Sequence, residues 1–410
     1  MLEAKAFESA MIEERRYFHR HPELSGQEEA TIAYIRKVQE ELGMNVYEVP
    51  RGGIIGVLNE DRTVPAILLR SELDALPVTE SETNLAGSRT CLSEKPGVMH
   101  ACGHDAHMAM LLCAARALAK DPPKTPVLFV FERGEEDNSG IGTLLRFIEA
   151  SFPIAFCYAC HVRWDTPSGT LVLKKGGAMA GGLGFEVEIQ GHGGHGARPD
   201  LASSPIDCFA AIHQRLQQLR MTGTRPDAVL TYSLGTVHSG ETKNVIPESL
   251  IFSGTVRTFD TEEAGEHFAN AMRETIREMS RLYGCTANIL HFPRPLYETR
   301  NHESVRLFAE QALSRVPEIS LGDTEPWMAS ETFGAYLRLW PGALAFLGIR
   351  SEGKGSGAGH HTPEFDVDED ALLTGAAAMT AIVRAYDADR PTFSFERSGE
   401  TLDELLERRL

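Results

Sequence analysis

The chain has 410 residues, with 40 Lys and Arg against 58 Asp and Glu, a formal net charge of −18, 42% hydrophobic residues and 24% charged ones. That length calls for two domains or one domain with a large insert, and the composition excludes disordered, collagen-like and disulfide-scaffold classes. The acidic balance argues against a nucleic-acid partner, and no apolar run reaches the roughly 20 residues of a membrane helix. The start, Met1-Leu2-Glu3-Ala4-Lys5, lacks a signal pattern, so we expect a cytoplasmic protein with no membrane partner. Seven cysteines, an odd number scattered along the chain, read as reduced thiols.

In chain order, β-rich apolar runs over 54–58, 66–69 and 126–131 alternate with helical spacing over 28–42 and 105–120. Further strands are expected over 155–159 and 170–173. This order predicts a mostly parallel sheet with helices on both faces. A glycine-dense stretch over 176–184 suits a hinge. After it come a strand over 185–190, a helix over 205–220, strands over 228–234 and 250–257, a helix over 262–283 and a strand over 286–291. Four strands and two helices make a small α+β unit. The alternating pattern then resumes with a helix over 302–315, a strand over 342–348, a helix over 369–387 and a short terminal helix over 401–410. The expected division is a split α/β domain over 1–180 and 295–410, interrupted by an insertion over 181–294.

Four segments carry chemistry. Met99-His100-Ala101-Cys102-Gly103-His104-Asp105-Ala106-His107 puts metal-ligand residue types at the mouth of a helix, where a thiolate is also favoured. A capping or core role is the alternative at this point. Phe131-Glu132-Arg133-Gly134-Glu135-Glu136-Asp137 follows a strand, where ligands bind in open α/β sheets, and its two adjacent carboxylates suit a metal ligand and a proton carrier. Cys157-Tyr158-Ala159-Cys160-His161 spells a haem-attachment or redox pattern, but it reads as a buried strand whose His161 suits the metal cluster better. Gly359-His360-His361-Thr362-Pro363-Glu364-Phe365 precedes the helix over 369–387. The neighbouring Gly348, Gly353, Lys354 and Gly355 miss a phosphate-binding loop, because glycine stands where Ser or Thr should follow the lysine.

Together these segments are specific. The run over 99–107 resembles the M-H-A-C-G-H-D-x-H signature of the aminoacylase, carboxypeptidase and indole-acetyl-amino-acid hydrolase family of dinuclear metallohydrolases. Other landmarks fall in order: Arg15-Arg16-Tyr17-Phe18-His19-Arg20-His21-Pro22-Glu23-Leu24, Asp74-Ala75-Leu76-Pro77, Glu135-Glu136, His161-Val162, Gly193-Gly194-His195, Asn244-Val245-Ile246-Pro247, Gly254-Thr255-Val256-Arg257 and His361-Thr362-Pro363.

The resemblance implies a split zinc-peptidase-like α/β catalytic domain with an inserted lid and dimerisation domain. It implies two divalent metal ions (zinc, manganese, cobalt or nickel), with Cys102 as the shared ligand. His104 and His161 would complete one site, Glu136 and His361 the other. Glu135 would be the general base, Asp74 would orient a histidine ligand, and His195 would reach a neighbouring active site to steady an oxyanion in a homodimer. Asn244 and Arg257 would hold a substrate carboxylate. The implied activity is hydrolysis of N-acyl amino acids by metal-activated water. The alternatives are a dipeptidase or carboxypeptidase and, outside enzymes, a catalytically silent binding protein. Some positions depart from the family pattern. Glu72 stands where Asp is usual, Glu132-Arg133-Gly134 replaces Gln-Pro-Ala, Thr332 replaces Asp, and the segment over 81–96 is unusual.

Overall fold

The strand Val127–Glu132 is buried at every position, as expected of a strand covered on both faces. In the computed structural model, which describes residues 2–408, it lies inside an eight-stranded sheet. The order is Asn45–Val49, Gly53–Leu58, Val127–Glu132, Ala66–Glu72, Ile154–Pro167, Gly342–Arg350, Thr170–Val172 and Ser320–Leu321. The pairings from Val127–Glu132 through Gly342–Arg350 are parallel. Asn45–Val49 pairs antiparallel to Gly53–Leu58, and that strand antiparallel to Val127–Glu132. Thr170–Val172 runs antiparallel to Gly342–Arg350 and parallel to Ser320–Leu321, so the sheet is mixed, with a parallel centre and antiparallel pairings on both sides. Three residues separate the first two strands, enough for a hairpin and far too few for a parallel crossover.

Contacts divide the chain into two compact units. The first holds residues up to Gly176, Arg300–Glu325 and Ala335–Gly399; the second holds Gly177–Thr299, Pro326–Gly334 and the chain from Glu400. The expected insertion over 181–294 thus corresponds to a longer unit that also recruits two later segments.

Within the first unit, helices Glu8–Arg20, His104–Lys120 and Leu372–Asp389 bury apolar faces in one core with the sheet. His104–Lys120 is buried at nearly every position. Its entry is a glycine requirement: Gly103 has φ +90°, and a Cβ there would sit 2.4 Å from Val162 Cγ2. Only glycine allows that approach.

The second unit has an antiparallel four-stranded sheet ordered Leu230–Ser239, Ser249–Thr258, Gly181–Gln190 and Thr286–His291. Helices Pro205–Thr222 and Glu266–Leu282 share its core. Ser204 caps the first of these by accepting from the Asp207 N–H at 3.2 Å, with Pro205 at the first helical position. The glycine-dense stretch forms strand rather than a loose hinge, in Gly176–Met179 and Gly181–Gln190. Its composition reflects close packing, since a Cβ on Gly182 would lie 1.9 Å from the Val256 carbonyl oxygen. The terminal helix Leu402–Glu407 begins with a Thr401–Glu404 capping box. It belongs to the second unit, tied there by buried Arg408, which donates to Glu400 Oε1 at 2.7 Å and to the Tyr297 hydroxyl at 2.8 Å. Among the described residues no helix is long and apolar enough to cross a membrane.

Candidate metal centre

Five short segments of the first unit converge. The strand Ala66–Glu72 delivers Asp74, the Gly103 turn presents Cys102 and His104, and Glu135 and Glu136 follow the strand Val127–Glu132. His161 sits within the strand Ile154–Pro167, opposite Phe346 of the parallel neighbour. His361 arrives from the loop before the helix Leu372–Asp389 and adopts φ +63°. The donor atoms of Cys102, His104 and His161 all lie within 4.8 Å of one another, and so do those of Cys102, Glu136 and His361. The two groups share Cys102. His104, Glu135 and Glu136 form a further such group.

Hydrogen bonds fix which atoms face inward. His104 Nδ1 donates to the Asp74 carbonyl at 2.8 Å and lies 3.2 Å from Asp74 Oδ1, which turns Nε2 toward the cluster. Burial opposes its charge, but Cys102 and Asp74 raise its pKa well above the ordinary histidine value, so a cation bound there displaces the Nε2 proton. His161 Nδ1 donates to the Val162 carbonyl at 2.7 Å, and its Nε2 lies 3.7 Å from Cys102 Sγ. Burial, reinforced by the neighbouring His107, holds His161 well below the ordinary histidine value, so the ring is neutral, as a ligand must be. Asp74 Oδ2 accepts from Ser25 Oγ at 2.6 Å and from the Glu136 N–H at 2.9 Å. Burial opposes its charge, but His104, Ser25 and that N–H outweigh the opposition and lower its pKa. One carboxylate therefore orients both His104 and the Glu136 backbone.

The residues fit a pair of divalent cations. His104 Nε2 and Glu136 Oε1 are buried, have no hydrogen-bond partner among the described residues and lie 3.9 Å apart. Glu136 Oε1 is also 3.4 Å from His361 Nε2. Burial and the Glu136 carboxylate push the Cys102 thiol well above its ordinary value, so a thiolate here needs a compensating cation. Mixed S, N and O donors suit zinc and its first-row neighbours. Glu135 is 9% exposed, and His361 is 51% exposed at its side chain, which leaves the cluster open on one side.

His107 also clusters with Glu72 and His104, but its ring is fully engaged. Its Nε2 accepts from the Val162 N–H at 2.8 Å and its Nδ1 donates to Glu72 Oε2 at 2.7 Å. Glu72 in turn accepts from Arg70, whose Nε donates to Glu132 Oε2 at 2.9 Å, and the Tyr336 hydroxyl donates to that same oxygen at 2.9 Å. The sequence singled out Glu72 and Glu132 but not the buried arginine joining them. Their juxtaposition is a matter of strand register, Glu72 facing Glu132.

Cys157 and Cys160 are free and buried within the strand; burial drives the first thiol far up and the second to about 12. Three residues apart on a strand, they point to opposite faces and form no redox pair. Lys354 of the failed phosphate-loop pattern pairs with Asp368 at 2.9 Å.

The second unit holds the remaining predicted residues. His195 is exposed and faces Val245 across a two-residue ladder, beside Asn244, whose carbonyl accepts from the Gly196 N–H at 2.9 Å. Its Nδ1 accepts from the Ala197 N–H at 3.0 Å, which puts the ring proton on Nε2. Arg257 is the penultimate residue of the strand Ser249–Thr258 and donates from Nη1 to Ser330 Oγ at 2.6 Å; burial lowers its pKa.

Comparison with known proteins gives a consistent picture. The model of peptidase family M20/M25/M40 matches residues 68–385. Thermostable carboxypeptidase 2 of Saccharolobus solfataricus is 32% identical over 384 residues, covering 92% of this chain and 95% of the relative. N-acetylcysteine deacetylase of Bacillus subtilis is 33% identical over 380 residues, covering 91% and 95%. Among solved structures, a dinuclear metal binding peptidase from Bacillus subtilis superposes with a TM-score of 0.75 at 30% identity, covering 93% of this chain and 99% of that one.

Proposed function

The chain belongs to peptidase family M20/M25/M40, and from that premise we propose that it is a metal-dependent amidohydrolase that cleaves N-acyl amino acids into a carboxylate and an amine. The observation that carries this reading is the pair of donor triads sharing Cys102, with the Glu135 carboxylate in the same cluster. Cys102, His104 and His161 would hold one cation, and Cys102, Glu136 and His361 the other. When bound, such cations supply an acidified water and a polarised carbonyl.

The chain's own groups do the rest. Glu135 accepts a proton from water on its carboxylate as the water oxygen bonds to the amide carbon. It then delivers that proton to the amide nitrogen as the C–N bond breaks. Asp74 keeps the His104 lone pair and Glu136 aimed inward. His195, with its proton on Nε2, donates to the developing oxyanion. Arg257 and Asn244 hold the substrate carboxylate, and a half-buried guanidinium with a hydroxyl as its neighbour suits that anion. We take the active form to be a cytoplasmic homodimer in which His195 acts on the partner's site.

The carboxypeptidase relative favours a second reading, cleavage of small peptides. A panel of N-acetyl amino acids and free dipeptides, run with metal analysis, separates the two. We expect metal-loaded protein to cleave N-acetyl amino acids faster, to lose activity to a chelator and to regain it with added divalent metal. Faster dipeptide cleavage selects the peptidase reading, and full activity in metal-free protein ends both.

A further inference from the structure

The segment over 81–90 is an exposed hairpin. Thr83 bridges Ser88, and the Asn84 N–H donates to the Gly87 carbonyl at 2.9 Å. Leu85 at its tip is 63% exposed. One side chain is the exception: that of Arg89 is 0% exposed. Its Nη1 donates to the Phe365 carbonyl and its Nη2 to the Pro363 carbonyl, each at 2.8 Å. The same guanidinium lies 3.3 Å from Glu80 Oε1 and 3.6 Å from Asp366 Oδ2.

The loop so gripped is the one that carries His361. His361 is held at φ +63°, a left-handed conformation that is strained for a non-glycine residue and persists only where surroundings over-determine it. On one side the His361 N–H donates to the Ala101 carbonyl at 2.9 Å, beside Cys102. On the other side the hairpin supplies the constraint. Besides Arg89, the Ser81 N–H donates to the Pro363 carbonyl at 3.0 Å and the Leu85 N–H to the Gly355 carbonyl at 3.1 Å. Asn84 Nδ2 donates to Asp366 Oδ2 at 2.8 Å and to the Lys354 carbonyl at 2.9 Å. Glu80 extends the brace to the other half of the cluster. It accepts from His19 Nε2 at 2.8 Å, and His19 Nδ1 donates to Asp105 Oδ2 at 2.8 Å, next to His104.

We infer that Arg89 is a positioning residue of the metal centre, fixing through two backbone carbonyls the loop that aims His361 at the Cys102–Glu136 site. The inference rests on the metal-centre reading above. A planar fork spans two acceptors that a point-like ammonium cannot reach together. Loss of the fork loosens one ligand of one site and leaves Cys102, His104 and His161 in place.

The test is Co²⁺ titration of the metal-depleted full chain, reading total bound metal and the thiolate-to-cobalt absorption of Cys102, with circular dichroism to verify folding. Wild type is expected to take two ions. Arg89→Ala is expected to bind one of them about 10–100-fold more weakly while the thiolate band persists, and to match His361→Ala in which ion is lost. Arg89→Lys is expected to behave like Arg89→Ala. Should Arg89→Ala not fold, Asn84→Ala removes the hairpin's other side-chain grip and carries the same expectation of selective loss. Wild-type affinity for both ions in a folded Arg89→Ala or, failing that, Asn84→Ala overturns the inference, as does full rescue by lysine. Wild type that binds no metal overturns instead the reading on which it rests.

Discussion

Replacing Arg70 by methionine tests the polar network beneath the metal centre. Arg70 is almost wholly buried between Glu72 and Glu132, which face one another across paired strands. Burial works against an ionised Glu72, but Arg70 and then His107 override it and hold that carboxyl well below the usual range. A pair of unit charges about 4 Å apart attracts by about 4 kcal/mol at an effective dielectric near 20. Removing one partner of a buried pair typically costs about 3–5 kcal/mol, because the other charge is stranded. Here two carboxylates are stranded, and proton uptake by one of them caps the loss, so we expect about 3–5 kcal/mol off the unfolding free energy at pH 7. Adding Glu132→Gln removes one stranded charge and still leaves an acceptor for Tyr336. The double variant should therefore recover about 1–3 kcal/mol relative to simple additivity. Urea unfolding followed by tryptophan fluorescence suits the measurement, since Trp164 and Trp340 both lie in the first unit. A single-variant loss under about 1 kcal/mol, or strictly additive losses, refutes the network as a coupled charge cluster.

Glu135→Gln should lower turnover by about 10²–10⁴-fold with metal content unchanged, whereas Glu136→Gln should lose metal; the reverse pattern in metal analysis would exchange the two roles. Mixing inactive His195→Ala and Glu135→Gln chains under subunit exchange should restore activity, because one site of each mixed dimer is then wholly wild type. No recovery despite verified exchange rejects action across subunits. Burial and Arg15 oppose a charged His19, but the Asp105 and Glu80 carboxylates on its two nitrogens outweigh them and raise its pKa above 6.5. Its stabilisation is therefore fully present below pH 6.5 and is lost as pH rises through the raised folded value. The stability gap between wild type and His19→Gln, read by urea unfolding across pH 6–10, should narrow with rising pH, and a gap that widens refutes the assignment.

The proposed donor residues could be picked out in the sequence because each sits in a short motif of unusual residue types beside an apolar element whose period is plain. Val127–Glu132 and His104–Lys120 could hardly be read otherwise, and the spacing Cys102-Gly103-His104 limits what that turn can do. Legibility failed where the deciding partner is distant. The half-exposed strand Asn45–Val49 takes its identity from the hairpin it makes with Gly53–Leu58. The tail from Glu400 reads as a detached helix until Arg408 is seen buried against Tyr297. Charged residues hid the strand ends, since the apolar runs stop at 69 and 131 while Arg70, Glu72 and Glu132 beyond them are interior.

The departures from the family pattern are better understood jointly than singly. A glutamate at 72 reaches His107 on one side and Arg70 on the other, and a glutamate at 132 gives Arg70 a second carboxylate. Asp and Glu carry the same charge, so the change at 72 adds only reach, whereas the change at 132 adds a buried charge, and Arg70 is its ionic partner. They leave His107 donating to Glu72 and accepting from the Val162 N–H, one residue from His161. In the hairpin over 81–90 the buried side chain is again an arginine, and the acids beside it are Glu80 and Asp366. In both places the unusual residues support the candidate donor set from behind, and none of them stands at a donor position.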